Sequence, residues 1–277
     1  MNTIKNISFT CLSFAFAALT MVSCNNNSGN KSSKDSSKVI TQSGPGTPIK
    51  LDSTKRYIYL TWDDAPQPPG TINCKAVFKE EGIKATFFVV GFNQVGPQKK
   101  RIIDSLRKEY PQFLIANHSF SHGFRDNYKK YYQLTDSAFH DMMRNQDELQ
   151  IAVKIIRLPG RNTWAANGKI HGQEAKTVLI KKLDSLGYKI VGWDMEWSAQ
   201  KRMKAPQESA EEMAKRVSEK LDDGSTNEPN SIVILSHDRL YEKMQYADSL
   251  RKFISILKKD PRNVFETIDH YPTIQQK

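Results

Sequence analysis

YIYLTWDD, residues 57–64, is the stretch on which the reading of this chain turns. Six aromatic, β-branched or aliphatic residues, the composition of a strand, run directly into two adjacent carboxylates. Similar strand-like runs return at 85–90 (ATFFVV), 113–117 (FLIAN), 153–157 (VKIIR), 188–193 (YKIVGW), 231–236 (SIVILS) and 263–268 (NVFETI). Amphipathic helical stretches separate them, near 71–81, 97–109, 135–150, 172–186, 206–221 and 241–258. Gly82 and Gly187 stand where left-handed caps would end the first and fourth helices, and Pro206, followed by glutamates, would open the fifth. Seven strands with helical crossovers predict an α/β fold, a distorted parallel (β/α) barrel of about seven strands, in one domain over 51–277.

Five polar motifs fall where these strands run out: TWDD (61–64), HSFSH (118–122), RLPG (157–160), WDMEW (193–197) and LSHD (235–238). A parallel barrel gathers its chemistry at the carboxyl ends of its strands, so distant motifs can meet at one site. They supply carboxylates, three histidines and an arginine, the inventory of a metal-dependent hydrolase. His118 and His122 follow a strand, and Ser119, Phe120 and Ser121 show no helical apolar pattern, so a loop or a first helical turn must hold the pair. Two imidazoles and one carboxylate leave coordination positions open for water and substrate, as in catalytic rather than structural zinc sites. Consecutive residues leaving a strand point in different directions, so one of Asp63 and Asp64 suffices for the metal and the other can serve as a base.

With TWDDAP in place of TFDDGP and the other motifs in the same order over about 57–238, the chain resembles the polysaccharide deacetylases with a NodB homology domain, carbohydrate esterase family 4. The resemblance implies Asp63 as catalytic base, and Asp64, His118 and His122 as ligands of a divalent metal, usually zinc, with other ions such as cobalt also used. Arg157 would orient Asp63 and keep it ionised, the Gly160 N–H would hold the tetrahedral oxyanion, and His237 would protonate the departing amine. Leu235 would line the acetyl pocket, Asp194 would pair with His237, and Trp193 or Trp197 would wall the groove and stack on sugar faces. Three positions depart from the family pattern. Ala65 stands for a glycine and Gly160 for a tyrosine common among relatives, while WDMEW matches its motif only in part. None of these removes a metal ligand or the base.

The chain has 277 residues and a formal charge of +11, but Lys and Arg are scattered along it rather than gathered in one basic stripe. That pattern argues against a nucleic-acid partner and leaves a mild attraction to anionic cell-surface polymers. Lys5, the apolar run from Ile7 to Val22, and MVSC at 21–24 resemble a bacterial lipoprotein signal, which implies residues 1–23 as signal peptide and Cys24 as the lipidated first residue. Residues 24–50 are rich in Asn, Ser, Lys, Gly and Pro and read as a flexible polar tether. The expectation is thus an exported lipoprotein of the cell envelope, anchored to a membrane. Cys74, with no partner in the folded region, reads as a packed helix residue. The expected reaction is removal of N-acetyl groups from an amino-sugar polymer such as peptidoglycan or a chitin-like glycan. Its rivals are an O-acetyl esterase acting on a polysaccharide such as xylan, and a carbohydrate-binding lipoprotein without turnover.

Overall fold

Residues 57–64 lie inside a single strand, β1 (Arg56–Ala65), every residue of which is buried. A computed structural model describes residues 44–173, 177–200 and 205–275; the expected signal peptide and Cys24 lie outside the described residues. Nine further strands follow: β2 (Ala85–Val89), β3 (Phe113–Asn117), β4 (Ile155–Ile156), β5 (Thr163–Ala166), β6 (Lys169–Gly172), β7 (Lys189–Ile190), β8 (Met195–Glu196), β9 (Ser231–His237) and β10 (Asn263–Phe265). They form one sheet in the order β6-β5-β7-β4-β3-β2-β1-β9-β8, with β10 also beside β1. Every pairing is parallel except those made by β5. Among the described residues no ladder joins β8 to β6, so the sheet is a curled half-barrel, as the distorted-barrel reading anticipates.

β2 and β3, like β1, are buried along their whole length, because parallel strands are covered on both faces. The helix Gly70–Glu80 presents Cys74, Val77 and Phe78 to the sheet, and Met244–Leu257 presents Leu250, Phe253 and Ile254. Trp62 meets Phe78 edge to face at 5.0 Å, and Phe87 meets Phe113 at 6.0 Å. Each such aromatic contributes about 1.5–3 kcal/mol by leaving water. Cys74 is buried and free, as expected of a packed residue.

All seven expected strands are present, and the differences have local causes. The run 188–193 stops pairing at Ile190 because the carbonyls of Val191 and Gly192 accept hydrogen bonds from the Arg157 guanidinium instead. The fifth expected helix starts at Ala210, not near Pro206: Ser209 and Glu212 form a reciprocal capping box, whereas Pro206 bridges Ala199. The antiparallel hairpin β5–β6 is an addition to the sequence reading. Its turn is Asn167-Gly168, both with positive φ, a pairing that favours two-residue hairpins.

Residues 44–50, the last part of the stretch read as a tether, are tied to the carboxyl-terminal segment. The Gly46 N–H donates to Asp269 Oδ2 at 2.9 Å, and His270 Nε2 lies 3.2 Å from the Thr47 carbonyl. His270 Nδ1 is 2.9 Å from Glu266 Oε1, and Lys84 and Asp269 complete the charged surroundings. An imidazole set this close to two carboxylates is favoured in its charged form. Burial lowers the His270 pKa, but Glu266 and Asp269 outweigh it and hold the value above the ordinary one. A raised folded-state pKa gives stability that is full below the unfolded value of about 6.5 and is lost as pH rises through the folded value. In urea melts, His270→Gln should therefore cost about 1–3 kcal/mol at pH 6, with the gap narrowing on the alkaline side. A gap that does not change with pH would contradict this.

Candidate active site

Asp63 and Asp64 reach the same cavity because β1 is bulged between them. In the ladder with β2, Asp63 pairs Phe88 and Ala65 pairs Val89, leaving Asp64 as the extra residue with φ of 72°. A bulge re-aims side chains that would otherwise point to opposite faces. On its other edge β1 sets Asp63 in register with His237 of β9. The cavity at these strand ends has a volume of about 710 Å³ and takes both aspartates, His118, His122 and His237 into its lining.

Asp64, His118 and His122 offer ligand atoms that all lie within 4.8 Å of one another. Asp64 Oδ1 is 3.0 Å from His122 Nε2 and 3.7 Å from His118 Nε2, yet it is buried without an aligned hydrogen-bond donor. The outer nitrogens are spoken for: His118 Nδ1 lies 2.9 Å from the Arg157 carbonyl and His122 Nδ1 2.6 Å from Asp126 Oδ1. A carbonyl only accepts, so His118 Nδ1 carries the proton and Nε2 keeps its lone pair for the cavity. An orphaned carboxylate oxygen facing two imidazole nitrogens fits a divalent cation. Burial raises the Asp64 pKa, but the close approach of His122 and the charges of the other histidines outweigh it and hold this carboxyl well below the usual range. Burial lowers the His118 pKa, whereas for His122 the two flanking carboxylates outweigh burial and raise it. A proton on His122 is therefore the competitor that a cation would displace.

Asp63 is held differently. Arg157 Nη1 donates to Asp63 Oδ1 at 2.9 Å and to Thr61 Oγ1 at 2.8 Å, while Nη2 donates to the Gly192 carbonyl at 2.8 Å. The guanidinium is fully buried, with its carbon 4.2 Å from the Phe88 ring centre. Asp63 Oδ2 lies 3.5 Å from His118 Nε2. The two carboxylates thus share His118 but differ in their nearest partner: Asp63 is clamped by the buried Arg157, and Asp64 is set against His122.

The segment carrying the histidines is pinned under its start by Asn117, whose Oδ1 accepts the Ser119 N–H and the Asn145 side chain. From His122 to Asp126 all five residues have φ between 51° and 67°, a left-handed turn rather than an ordinary loop or right-handed first turn. Each L-residue there costs about 1–2 kcal/mol, so the turn must be held by its contacts. Phe124 packs edge to face on Tyr131 at 4.9 Å, and Arg125 lies 4.4 Å over Phe92 at the cavity rim. A Cβ at Gly160 would come within 2.7 Å of the Tyr128 ring. The space beside position 160 is thus filled by the Tyr128 ring.

Leu235, Trp193 and Gly160 all line the cavity with His237. Two expected site residues do not. Asp194 gives its carboxylate to the backbone N–H groups of Asn227 (2.6 Å) and Val233 (2.7 Å), so it braces β9 instead of pairing with His237. Trp197 is buried against Phe253 and Tyr241 and donates to the Glu208 carbonyl, which makes it a core residue rather than a groove wall. Asp238, the last residue of LSHD, is buried and bonded to the Thr71 hydroxyl. Glu196, Asp126 and Tyr128 line the cavity and were not singled out from the sequence. Glu196 has the same strand parity as Asp194, so alternation could not separate them. Asp126, four residues after His122, carried a signal in its spacing.

Residues 50–166 match the polysaccharide deacetylase family. Among solved structures, a peptidoglycan N-acetylglucosamine deacetylase is 22% identical, with 84% of this chain and 94% of that one covered at a TM-score of 0.56. A family 4 carbohydrate esterase from Streptococcus mutans is 23% identical over 78% of this chain and 87% of its own, at 0.58. Bacillus subtilis PdaA, also of carbohydrate esterase family 4, is 20% identical over 81% and 84%, at 0.56. Identities this low establish the shared fold, and the family match adds the segment that holds TWDD, HSFSH and RLPG. Residues 50–166 thus carry a polysaccharide deacetylase match, within a fold shared with these deacetylases and esterases.

Proposed function

We propose that this protein hydrolyses N-acetyl groups of an amino-sugar polymer, peptidoglycan or a chitin-like glycan, with a divalent cation, zinc in the first instance, held by Asp64, His118 and His122. The observation that carries the reading is the pairing of that ligand set with a second, Arg157-clamped carboxylate at the neighbouring position of β1. A cation bound there supplies Lewis-acid polarisation of the acetyl carbonyl and a water made acidic enough to deprotonate near neutrality. Asp63 takes the proton from the attacking water; Arg157 donates to its Oδ1 and fixes its rotamer. The Gly160 N–H faces the developing oxyanion, while Leu235 and Trp193 bound the acetyl group and the sugar. His237, in register with Asp63 across the β1–β9 ladder, delivers a proton to the leaving nitrogen. An amine must leave neutral, so a proton donor opposite the base suits an amide. With Cys24 acylated, the enzyme would work from a membrane surface of the cell envelope.

Acetate release from chitooligosaccharide, peptidoglycan and acetylated xylan, measured on chelator-treated protein before and after zinc is restored, tests the whole reading. Release from the N-acetylated glycans only after zinc return is expected; protein that binds glycans yet frees acetate from none of them would overturn it. The role of His237 has its own signature. His237→Gln should slow amide hydrolysis by about 10²–10⁴, yet slow 4-nitrophenyl acetate far less, since a phenolate leaves without a proton. Equal losses on both substrates would remove the acid from His237.

A further inference from the structure

We propose that Asp126, steadied by Tyr128, is a positioning residue for His122 that fixes its ring so that Nε2 faces Asp64 and His118, and so sets the affinity of the metal site. The inference rests on the metal reading of that site. Asp126 Oδ1 receives two donors on one oxygen, His122 Nδ1 at 2.6 Å and the Tyr128 hydroxyl at 2.9 Å. The Tyr128 ring stands edge-on to the His122 ring at 5.9 Å. It is wedged where Cβ atoms on Gly123 and Gly160 would otherwise come, at 2.8 and 2.7 Å, so its hydroxyl has little freedom to leave the carboxylate.

Nothing in the core asks for this carboxylate: the Asp126 side chain is 70% exposed. Solvent would leave an aspartate there free to rotate. The chain nevertheless spends five consecutive positive-φ residues, His122 to Asp126, on a turn that brings Asp126 back onto the His122 ring. The other imidazole shows the same device built from backbone, with the Arg157 carbonyl on His118 Nδ1. A hydrogen-bond acceptor on the outer nitrogen fixes the tautomer, orients the ring and strengthens the inner nitrogen as a ligand. The two ligands differ in that only the His122 partner is a side chain, and a charged one.

Zinc dissociation constants, measured at neutral pH by competition with a chromophoric chelator, test this. Asp126→Ala should bind zinc about 10- to 100-fold more weakly than wild type. Asp126→Asn, which keeps an oxygen acceptor, should recover part of the loss. Tyr128→Phe should cost less, and should add nothing in the Asp126→Ala background because it acts through that carboxylate. Thermal unfolding of the metal-free Asp126→Ala protein should match wild type. An unchanged zinc constant in Asp126→Ala, or a metal-free protein that is destabilised in step with its loss of zinc, overturns the positioning role. Wild-type protein that takes up no zinc, or Asp64→Ala protein that takes it up normally, overturns instead the metal reading beneath it.

Discussion

Arg157 is a cation with no exposed surface, and the site is assembled around satisfying it. Its guanidinium reaches Thr61 and Asp63 on β1 and the carbonyls of Val191 and Gly192, while its own backbone N–H meets the Asn117 carbonyl at the end of β3. Its carbonyl then orients His118. One residue therefore joins three strand ends, Asp63 and His118. Stripping a partner from such a buried ion pair leaves an uncompensated charge and costs about 3–5 kcal/mol. That penalty keeps Asp63 in place, and the planar fork of an arginine, unlike a lysine, can serve several acceptors at fixed angles.

Two departures from regular backbone complete the arrangement. The bulge at Asp64 lets neighbouring residues share a cavity, and their environments then differ: Arg157 clamps Asp63, His122 faces Asp64, and His118 lies within reach of both. The left-handed turn after His122 is the costlier departure. Strain of this kind persists only where surrounding contacts over-determine it, and here it lies directly beside the ligand atoms. The chemistry is thus set less by the regular strands than by the two places where the chain leaves them.

The strands were legible because parallel strands buried on both faces read as unbroken β-branched and aromatic runs, as FLIAN does for β3. The motifs were legible because polar residues stand out where such runs stop. Less visible was anything decided by direction rather than composition. WDMEW holds two carboxylates and two tryptophans; only where β8 ends determines that Trp193 and Glu196 meet the cavity while Asp194 and Trp197 turn to the backbone and core. The left-handed turn has a single glycine, Gly123, among its five residues, so composition gave it little voice. The hairpin β5–β6 did carry a turn signal, Asn167-Gly168, but its strands, at four residues each, are too short to read as strands.

The central claim is that adjacent carboxylates on one strand do different work. Zinc content and acetate release, measured side by side on Asp63→Asn and Asp64→Asn, test it most directly. The account predicts that Asp63→Asn retains about one zinc and loses roughly 10²–10⁴ in rate, while Asp64→Asn loses the zinc itself. Loss of zinc from Asp63→Asn, or acetate release that survives in it, would contradict the division of labour that Arg157 and the bulge impose.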